Sequence, residues 1–205
     1  MHTFFRTLFP QTCPGCHQAL KTHAALCPTC TPKTAFLTHQ SVLKDTQEPH
    51  LVYLGAPEGK IRRMVHALKY HGNARVADSL AEALASKVPA SWQLDCLCPV
   101  PLHPRRLQQR GYNQSRVLAE AVGKKLRLPT LDLLKRTVYT AQQAKLHHLE
   151  RQSNLEGVFD LQAPAHGKSI LLVDDVLSTG ATLRASAQIL QRGGARAVYF
   201  LVVAR

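Results

Sequence analysis

Apolar residues along this chain follow two kinds of spacing, which predict strands and helices in alternation. Predicted strands lie at residues 51–54, 94–100, 158–161, 169–173 and 197–203. The run at 169–173 is typical of a central parallel strand buried on both faces. Apolar residues at helical spacing lie at residues 61–68, 76–84, 117–126 and 183–190. Strands that alternate with helices predict an α/β domain with a mainly parallel sheet.

Three stretches depart from this alternation. Residues 1–38 contain four cysteines, have no apolar stripe and are too short to fold around a core of their own. They therefore need a covalent or metal cross-link to hold their fold. Residues 101–114 are basic and rich in turn residues, which predicts a loop. Residues 136–154 are polar and weakly patterned, which predicts a mobile, partly helical excursion. We therefore predict a metal-binding segment over 1–38, a polar linker, and the α/β domain over 50–205.

The charge of the chain is strongly positive. Lys and Arg number 26 against 13 for Asp and Glu, so the formal net charge is +13. This excess indicates an anionic partner, either nucleic acid, a polyphosphate or an anionic membrane surface, and the alternative is a solvated basic surface. No apolar run approaches the ~20 residues of a membrane span, and the first residues lack the features of a signal peptide. We expect no integral membrane segment and a cytoplasmic location.

Four of the six cysteines form two CxxC knuckles separated by ten residues, Cys13-x-x-Cys16 and Cys27-x-x-Cys30. Two such knuckles make a tetrahedral site of four thiolates, and this soft, closed site favours Zn²⁺ in a structural role. Disulfides or a redox CxxC are the alternatives, and a segment with two paired motifs and no export signal disfavours both. Cys96 and Cys98 alternate on one face of a predicted strand and are expected to be small apolar core residues.

The apolar run 169–173 leads into a short polar loop, so that residues 170–182 read ILLVDDVLSTGAT. In an open parallel sheet, ligands bind beyond the carboxyl ends of the strands, and a helix that begins there offers unpaired N–H groups to a phosphate. Gly180 allows close backbone approach. The residues predicted to hold the phosphate are Ser178, Thr179, Gly180, Ala181 and Thr182.

The two carboxylates of this segment need a separate explanation, because they would repel a phosphate. Asp174 and Asp175 would accept hydrogen bonds from the 2′ and 3′ hydroxyls of a ribose whose 5′-phosphate lies in the loop. The alternative is a Mg²⁺ or phospho-acceptor site. The whole segment closely resembles the signature with which type I phosphoribosyltransferases bind phosphoribosyl pyrophosphate (PRPP). It therefore predicts binding of PRPP or of a related sugar phosphate such as ribose 5-phosphate.

The basic stretch 101–114 follows a predicted strand and should lie at the same edge of the sheet as the two carboxylates. Arg105, Arg106 and Arg110 would clamp a pyrophosphate through bidentate guanidinium contacts, with Arg105 and Arg110 as candidate catalytic groups. The alternative is an exposed basic loop.

The order of motifs along nearly all of the chain is similar to that of the ComF family of competence-associated proteins. The similar segments are the CxxC pairs, Leu68-Lys69-Tyr70-x-Gly72, VPLHPxR followed by RGYNQ, Arg136-Thr137-x-x-Thr140-x-x-Gln143-x-x-Leu146, Arg151-x-x-Asn154 and Phe159. The resemblance implies a type I phosphoribosyltransferase-like sheet flanked by helices, a small N-terminal zinc-binding segment, and a role in natural transformation by imported single-stranded DNA. By analogy with the transferases, residues 136–154 would form a lid, with Gln143, Arg151 and Asn154 contacting ligand once it closes.

Three functions remain open at this level. The first is a PRPP-dependent phosphoribosyltransferase that binds Mg²⁺ with PRPP, although no acceptor pocket is evident in the sequence. The second is a protein that binds single-stranded DNA, in which the low aromatic content of 6% favours contact with the phosphate backbone over base stacking. The third is an adaptor between a DNA translocase and recombination-mediator proteins. The family resemblance favours the second and third, and the chemistry of the loop favours the first.

Overall fold

The computed structural model describes residues 11–20, 24–38, 50–70, 74–138 and 157–205. Its strands are β1 (Phe36–Thr38), β2 (Leu51–Tyr53), β3 (Cys96–Pro99), β4 (Leu134–Arg136), β5 (Phe159–Leu161), β6 (Ser169–Val173) and β7 (Ala197–Leu201). Its helices are α1 (Gly59–Tyr70), α2 (Ala74–Ala85), α3 (Pro104–Arg110), α4 (Gln114–Leu126) and α5 (Ala181–Arg192), with a 3-10 turn at Ala90–Trp92.

Five strands form the main sheet in the order β1-β2-β7-β6-β3. Strand β1 runs antiparallel to β2, and the other neighbours are parallel. Strand β6 has a partner on both sides, so that Val173 lies opposite Pro99 in β3 and Leu201 in β7. Strands β4 and β5 form a separate antiparallel pair. The predicted α/β class with a mainly parallel sheet is confirmed.

The side chains of β6 alternate between two cores, one on each face of the sheet. Leu171 and Val173 pack in the core that contains α1, α2, α4 and the cysteine segment. Ile170 and Leu172 pack in the core that contains α5, β4 and β5. Because β6 is covered on both faces, its residues Ile170 to Val173 are all apolar.

The basic stretch 101–114 is not only a loop, as the sequence analysis predicted, because its middle forms helix α3. Pro104 stands at the first helical position, where a missing N–H costs nothing, and His103 Nδ1 accepts a hydrogen bond from the N–H of Arg105 at 3.2 Å. The following residues, RRLQQR, are mostly good helix formers. Gly111 ends the helix with a φ of 80°.

The two predicted boundary regions of the α/β domain are described only in part. Strand β1 lies within the range 1–38 that was predicted as a metal-binding segment, yet it is the edge strand of the main sheet. Residues 139–156, which include most of the predicted lid with Gln143, Arg151 and Asn154, lie outside the described residues. Among the helices described, none has the length and apolar character needed to cross a membrane.

Candidate functional site

The loop after β6 lies at the edge of the sheet where three parallel strands end side by side. Its backbone is held by the last residue of β7 and by the residues that follow. Asp174 donates its N–H to the carbonyl of Leu201 at 3.0 Å, and Leu177 donates to Ala204 at 2.8 Å. The carbonyl of Asp175 accepts from the N–H of Val203 at 3.0 Å. The position of both carboxylates is therefore set by main-chain hydrogen bonds.

Gly180 is the hinge between this loop and helix α5. Its φ of 75° lies in the left-handed region that other residues rarely adopt, and an added Cβ would come within 2.8 Å of Arg184 Nη1. The hydroxyl of Thr179 accepts a hydrogen bond from the N–H of Ala181 at 3.4 Å, while Thr182 is half-buried in the first turn of α5. The helix start therefore presents N–H groups and hydroxyls together, as binding of a phosphate requires.

The two carboxylates are held by different partners. Asp174 Oδ1 accepts hydrogen bonds from Ser115 Oγ at 2.9 Å and from the N–H of Asp175 at 2.8 Å. Burial, together with the charge of Asp175, raises the pKa of Asp174 to about 7. Asp175 is itself buried and pairs with Lys69 Nζ at 3.1 Å. The pKa of Asp174 thus lies near neutral pH, whereas the charge of Asp175 is balanced by that of Lys69.

Ser115 and Lys69 are site residues that the sequence analysis did not select. Ser115 is buried in the first turn of α4, and Lys69 lies in the last turn of α1. Both are far from the two aspartates along the chain, so local spacing gives no signal for them. The segment around Lys69 is indicated only by the family resemblance.

The basic stretch is anchored to the same edge of the sheet. Asn113 caps α4 by accepting a hydrogen bond from the N–H of Ser115 and donates its Nδ2 to the carbonyl of Val100 at 2.9 Å. Tyr112 donates its hydroxyl to the carbonyl of Leu68 at 2.6 Å. The stretch is therefore tied both to β3, through Val100, and to the end of α1.

The three arginines predicted as a clamp have different surroundings. Arg110 donates to Gln114 Oε1 and lies 5.4 Å from the ring centre of Tyr70, on the side of α1. Arg105 is exposed beside the capping residue of α3. Arg106 is half-buried, and its charge acts on Arg136.

Arg136, at the end of β4, was not among the predicted ligand residues. Its guanidinium lies 5.5 Å from the ring centre of Phe159. Burial, reinforced by the charge of Arg106, lowers the pKa of Arg136, and the charge of Asp174 opposes this shift. The charges of Arg106 and Asp174 thus both act on Arg136, in opposite directions.

The four knuckle cysteines come together as predicted. The ligand atoms of Cys13, Cys16, Cys27 and Cys30 all lie within 4.8 Å of one another. Cys13, Cys27 and Cys30 are buried and Cys16 is half-buried. Burial raises the pKa of Cys30 to about 12, and a bound cation would stabilise its thiolate form. The donor set and the spacing fit a tetrahedral structural zinc.

The cysteine cluster packs directly against helix α1. Arg63 donates its Nε to the carbonyl of Gly15 at 2.7 Å. At Gly15 an added Cβ would lie 2.8 Å from Cys30 Sγ and 3.2 Å from Met64 Cε, so the backbone approaches too closely for any other residue. Helix α1 therefore contacts the metal cluster near its middle and the carboxylate loop at its end.

Comparison with known proteins gives matches for both parts of the chain. The Phosphoribosyl transferase domain family matches residues 113–205, and the Double zinc ribbon domain family matches residues 4–42. The DNA utilization protein YhgH of Escherichia coli (strain K12) is 33% identical over 91% of this chain and 86% of its own length. The Competence protein F of Haemophilus influenzae is 27% identical over 94% of this chain and 90% of its own length. The Competence protein ComFC of Bacillus subtilis is 26% identical, covering 91% and 74% respectively.

Proposed function

The chain belongs to the ComF family, and on that premise we propose that it is a phosphoribosyl-binding protein that handles imported single-stranded DNA in the cytoplasm during natural transformation. The loop over residues 174–182 carries the ligand-binding part of this proposal. It combines two carboxylates at the carboxyl end of a central strand with a glycine-hinged helix start. Relatives named for competence and DNA utilization support the biological part.

Each group of the loop has a distinct role toward PRPP or ribose 5-phosphate. Asp174 and Asp175 accept hydrogen bonds from the ribose hydroxyls. The N–H groups and hydroxyls of residues 178–182 bind the 5′-phosphate, which is also favoured by the positive end of the α5 dipole. With PRPP, Mg²⁺ would neutralise charge on the pyrophosphate. Of the three predicted clamp residues, Arg106 has the best support, because its charge acts on Arg136, the same arginine on which the charge of Asp174 acts.

Isothermal titration calorimetry tests the ligand-binding part. We expect the zinc-loaded protein to bind PRPP with Mg²⁺ and ribose 5-phosphate, and Thr182→Ala and Asp175→Asn to weaken both. Asp78→Asn, in an exposed position on α2, is the matched control and should bind like the wild type. Absence of heat with either ligand at millimolar concentration would refute the proposal.

A second candidate function is an active phosphoribosyltransferase with an acceptor that is not identified. A cavity of about 420 Å³ beside the basic stretch favours it. Leu102, Tyr112 and Arg136 are among the residues that line this cavity, so it offers apolar surface next to the arginine whose charge reaches Asp174. Release of pyrophosphate from PRPP, measured with and without DNA, distinguishes turnover from binding alone.

The main contribution to the proposed DNA binding is electrostatic. Binding of a single strand by basic side chains must weaken steeply with salt, because each neutralised phosphate releases counterions. Binding of an oligonucleotide that is insensitive to salt would contradict this part of the proposal. DNA binding that survives Asp174→Ala would show that the DNA surface and the sugar-phosphate loop are separate.

A further inference from the structure

A groove of about 510 Å³ runs along the outer face of helix α1. Its polar walls are formed by Arg62, Arg63, His66, Lys69 and Tyr70. Arg62, His66 and Lys69 follow one another at spacings of four and three residues, so they lie on one face of the helix. This α1 groove is separate from the loop over residues 174–182 and plays no part in the sugar-phosphate site apart from Lys69.

The charge of the groove is positive. Helix α1 has five basic or imidazole side chains and no acidic one, and Glu58 precedes its first residue. Lys69 is paired with Asp175, and Arg63 is hydrogen-bonded to Gly15. Arg62 is exposed at the open side of the groove. The groove therefore attracts an anion, and its guanidinium groups suit phosphate in particular.

The groove also contains an exposed pair of rings. Tyr70 has 58% of its surface exposed, which is high for a large apolar side chain. Its ring centre lies 4.6 Å from that of His66, one helical turn earlier, and the two planes are inclined by 39°. Arg110 lies 5.4 Å from the same ring centre. Aromatic content is low in the whole chain, but here two rings and a guanidinium meet at the surface.

We propose that the α1 groove is the surface that binds single-stranded DNA, an inference that rests on the proposed function. Phosphates lie against Arg62 and Arg63, and an unpaired base stacks on the pair formed by His66 and Tyr70. The exposed rings favour a single strand over a duplex, because the base faces of a duplex are already stacked on one another. The rings also distinguish this groove from a surface that binds only through charge.

Lys69 places the groove next to the sugar-phosphate loop. Its ammonium group lines the groove and contacts Asp175 at 3.1 Å. A strand bound in the groove would therefore pass beside the carboxylate that we assign to the ribose. The DNA strand and the sugar phosphate would therefore both lie near Lys69, while their other contacts are made by different residues.

Fluorescence anisotropy with the full-length, zinc-loaded protein tests the proposal. The probes are an oligothymidylate of about 16 nucleotides and an abasic strand of the same length. Tyr70→Ala should weaken binding of the oligothymidylate by roughly fivefold to 150-fold and leave binding of the abasic strand unchanged. Tyr70→Phe should bind like the wild type, because stacking does not need the hydroxyl group.

Arg62→Ala tests the phosphate contact independently. It should weaken binding of both strands and reduce the slope of log affinity against log salt by about 0.7. Arg192→Ala removes an equally exposed charge at the end of α5 and is the matched control, for which we expect both strands to bind as before. Calorimetry with ribose 5-phosphate and zinc analysis on the same variants verify that they are folded.

The outcomes separate this inference from the proposed function. If the wild type binds the oligothymidylate and both Tyr70→Ala and Arg62→Ala bind it equally well, the α1 groove is not the DNA surface, although the function stands. If the wild type binds no strand at low salt, the DNA-handling function itself is wrong. Equal weakening of both strands by Tyr70→Ala would overturn the stacking contact. Retained DNA binding by Arg62→Ala with loss of binding to anionic phospholipid vesicles would reassign the groove to a membrane surface.

Discussion

The cysteine cluster and the carboxylate loop are two ordered regions that contact the same helix but are built in different ways. Among the described residues between Cys13 and Ala35, Leu26 is the large apolar side chain that is buried. The carboxylate loop extends a strand that is paired on both sides and covered on both faces. The first region depends on metal bonds, and the second depends on the sheet. A substitution in one region should therefore affect that region more than the other.

The largest effect is expected from Cys27→Ser, which removes one of four zinc ligands. Metal content should fall from about one zinc per chain to near zero, and the thermal transition should move to lower temperature, because Leu26 and Met64 lose their common packing. Metal analysis and calorimetric melting measure both. Cys96→Ala, at a buried cysteine of the sheet, should keep its zinc. A zinc-free protein with an unchanged melting curve would erase the distinction between the two regions.

The converse experiment is Leu171→Ala in β6. Leu171 is completely buried, and a leucine truncated at such a position costs about 2–5 kcal/mol in the free energy of unfolding. Denaturation with urea measures the loss, and zinc content at neutral pH should stay unchanged. Leu107→Ala, at an exposed leucine of α3, should change stability by less than about 0.5 kcal/mol. Loss of zinc in Leu171→Ala would show that the cluster depends on the sheet after all.

A smaller and pH-dependent effect distinguishes the carboxylate loop. The pKa of Asp174 is raised to about 7 by burial and by the charge of Asp175, whereas an aspartate in an unfolded chain titrates near ~3.9. Between these pH values the folded state holds a proton that the unfolded state has lost. The free energy of unfolding should therefore decrease as pH rises from about 4 to about 7. Asp174→Asn should flatten this decrease in urea denaturation, and a slope unchanged from the wild type would contradict it.

The smallest effect is expected from Tyr112→Phe, which tests how the basic stretch 101–114 is joined to α1. The substitution removes the hydrogen bond from the Tyr112 hydroxyl to the carbonyl of Leu68, which costs about 1 kcal/mol. Zinc content should not change. Tyr199→Phe is the matched control in β7, where the ring stacks on Trp92 and keeps that contact. Equal stability of Tyr112→Phe and the wild type would show that α1 and the basic stretch are joined by other contacts.

Sequence patterns were most accurate where burial is uniform. The predicted limits of β6 agree with the structure, because a strand covered on both faces is apolar along most of its length. The loop with the two aspartates also directly follows β6 as the sequence predicted, and helix α5 begins at Ala181, within the predicted loop. The clustering of the four knuckle cysteines was predicted equally well, since the spacing of the ligands is itself the signal for the metal.

The features that escaped prediction depend on contacts between distant parts of the chain. Ser115 reaches Asp174 across 59 residues, and no local spacing encodes that pair. Strand β1 has three residues, none buried, and its conformation comes from pairing with β2, where Phe36 lies opposite Tyr53. Helix α3 was predicted as part of a loop because the stretch 101–114 is rich in turn residues such as Pro101 and Gly111, although Pro104 in fact starts the helix.

The position of β7 sets the order in which the two regions can assemble during translation. Strand β7 lies between β2 and β6, both of which are synthesised before it, and the carbonyl of Asp175 obtains its hydrogen bonds only from residues that follow β7. All four cysteine ligands leave the ribosome earlier, by a delay on the order of ten seconds. The metal cluster can therefore form on a nascent chain whose sheet is still open. The sugar-phosphate loop, in contrast, is completed among the last steps of folding.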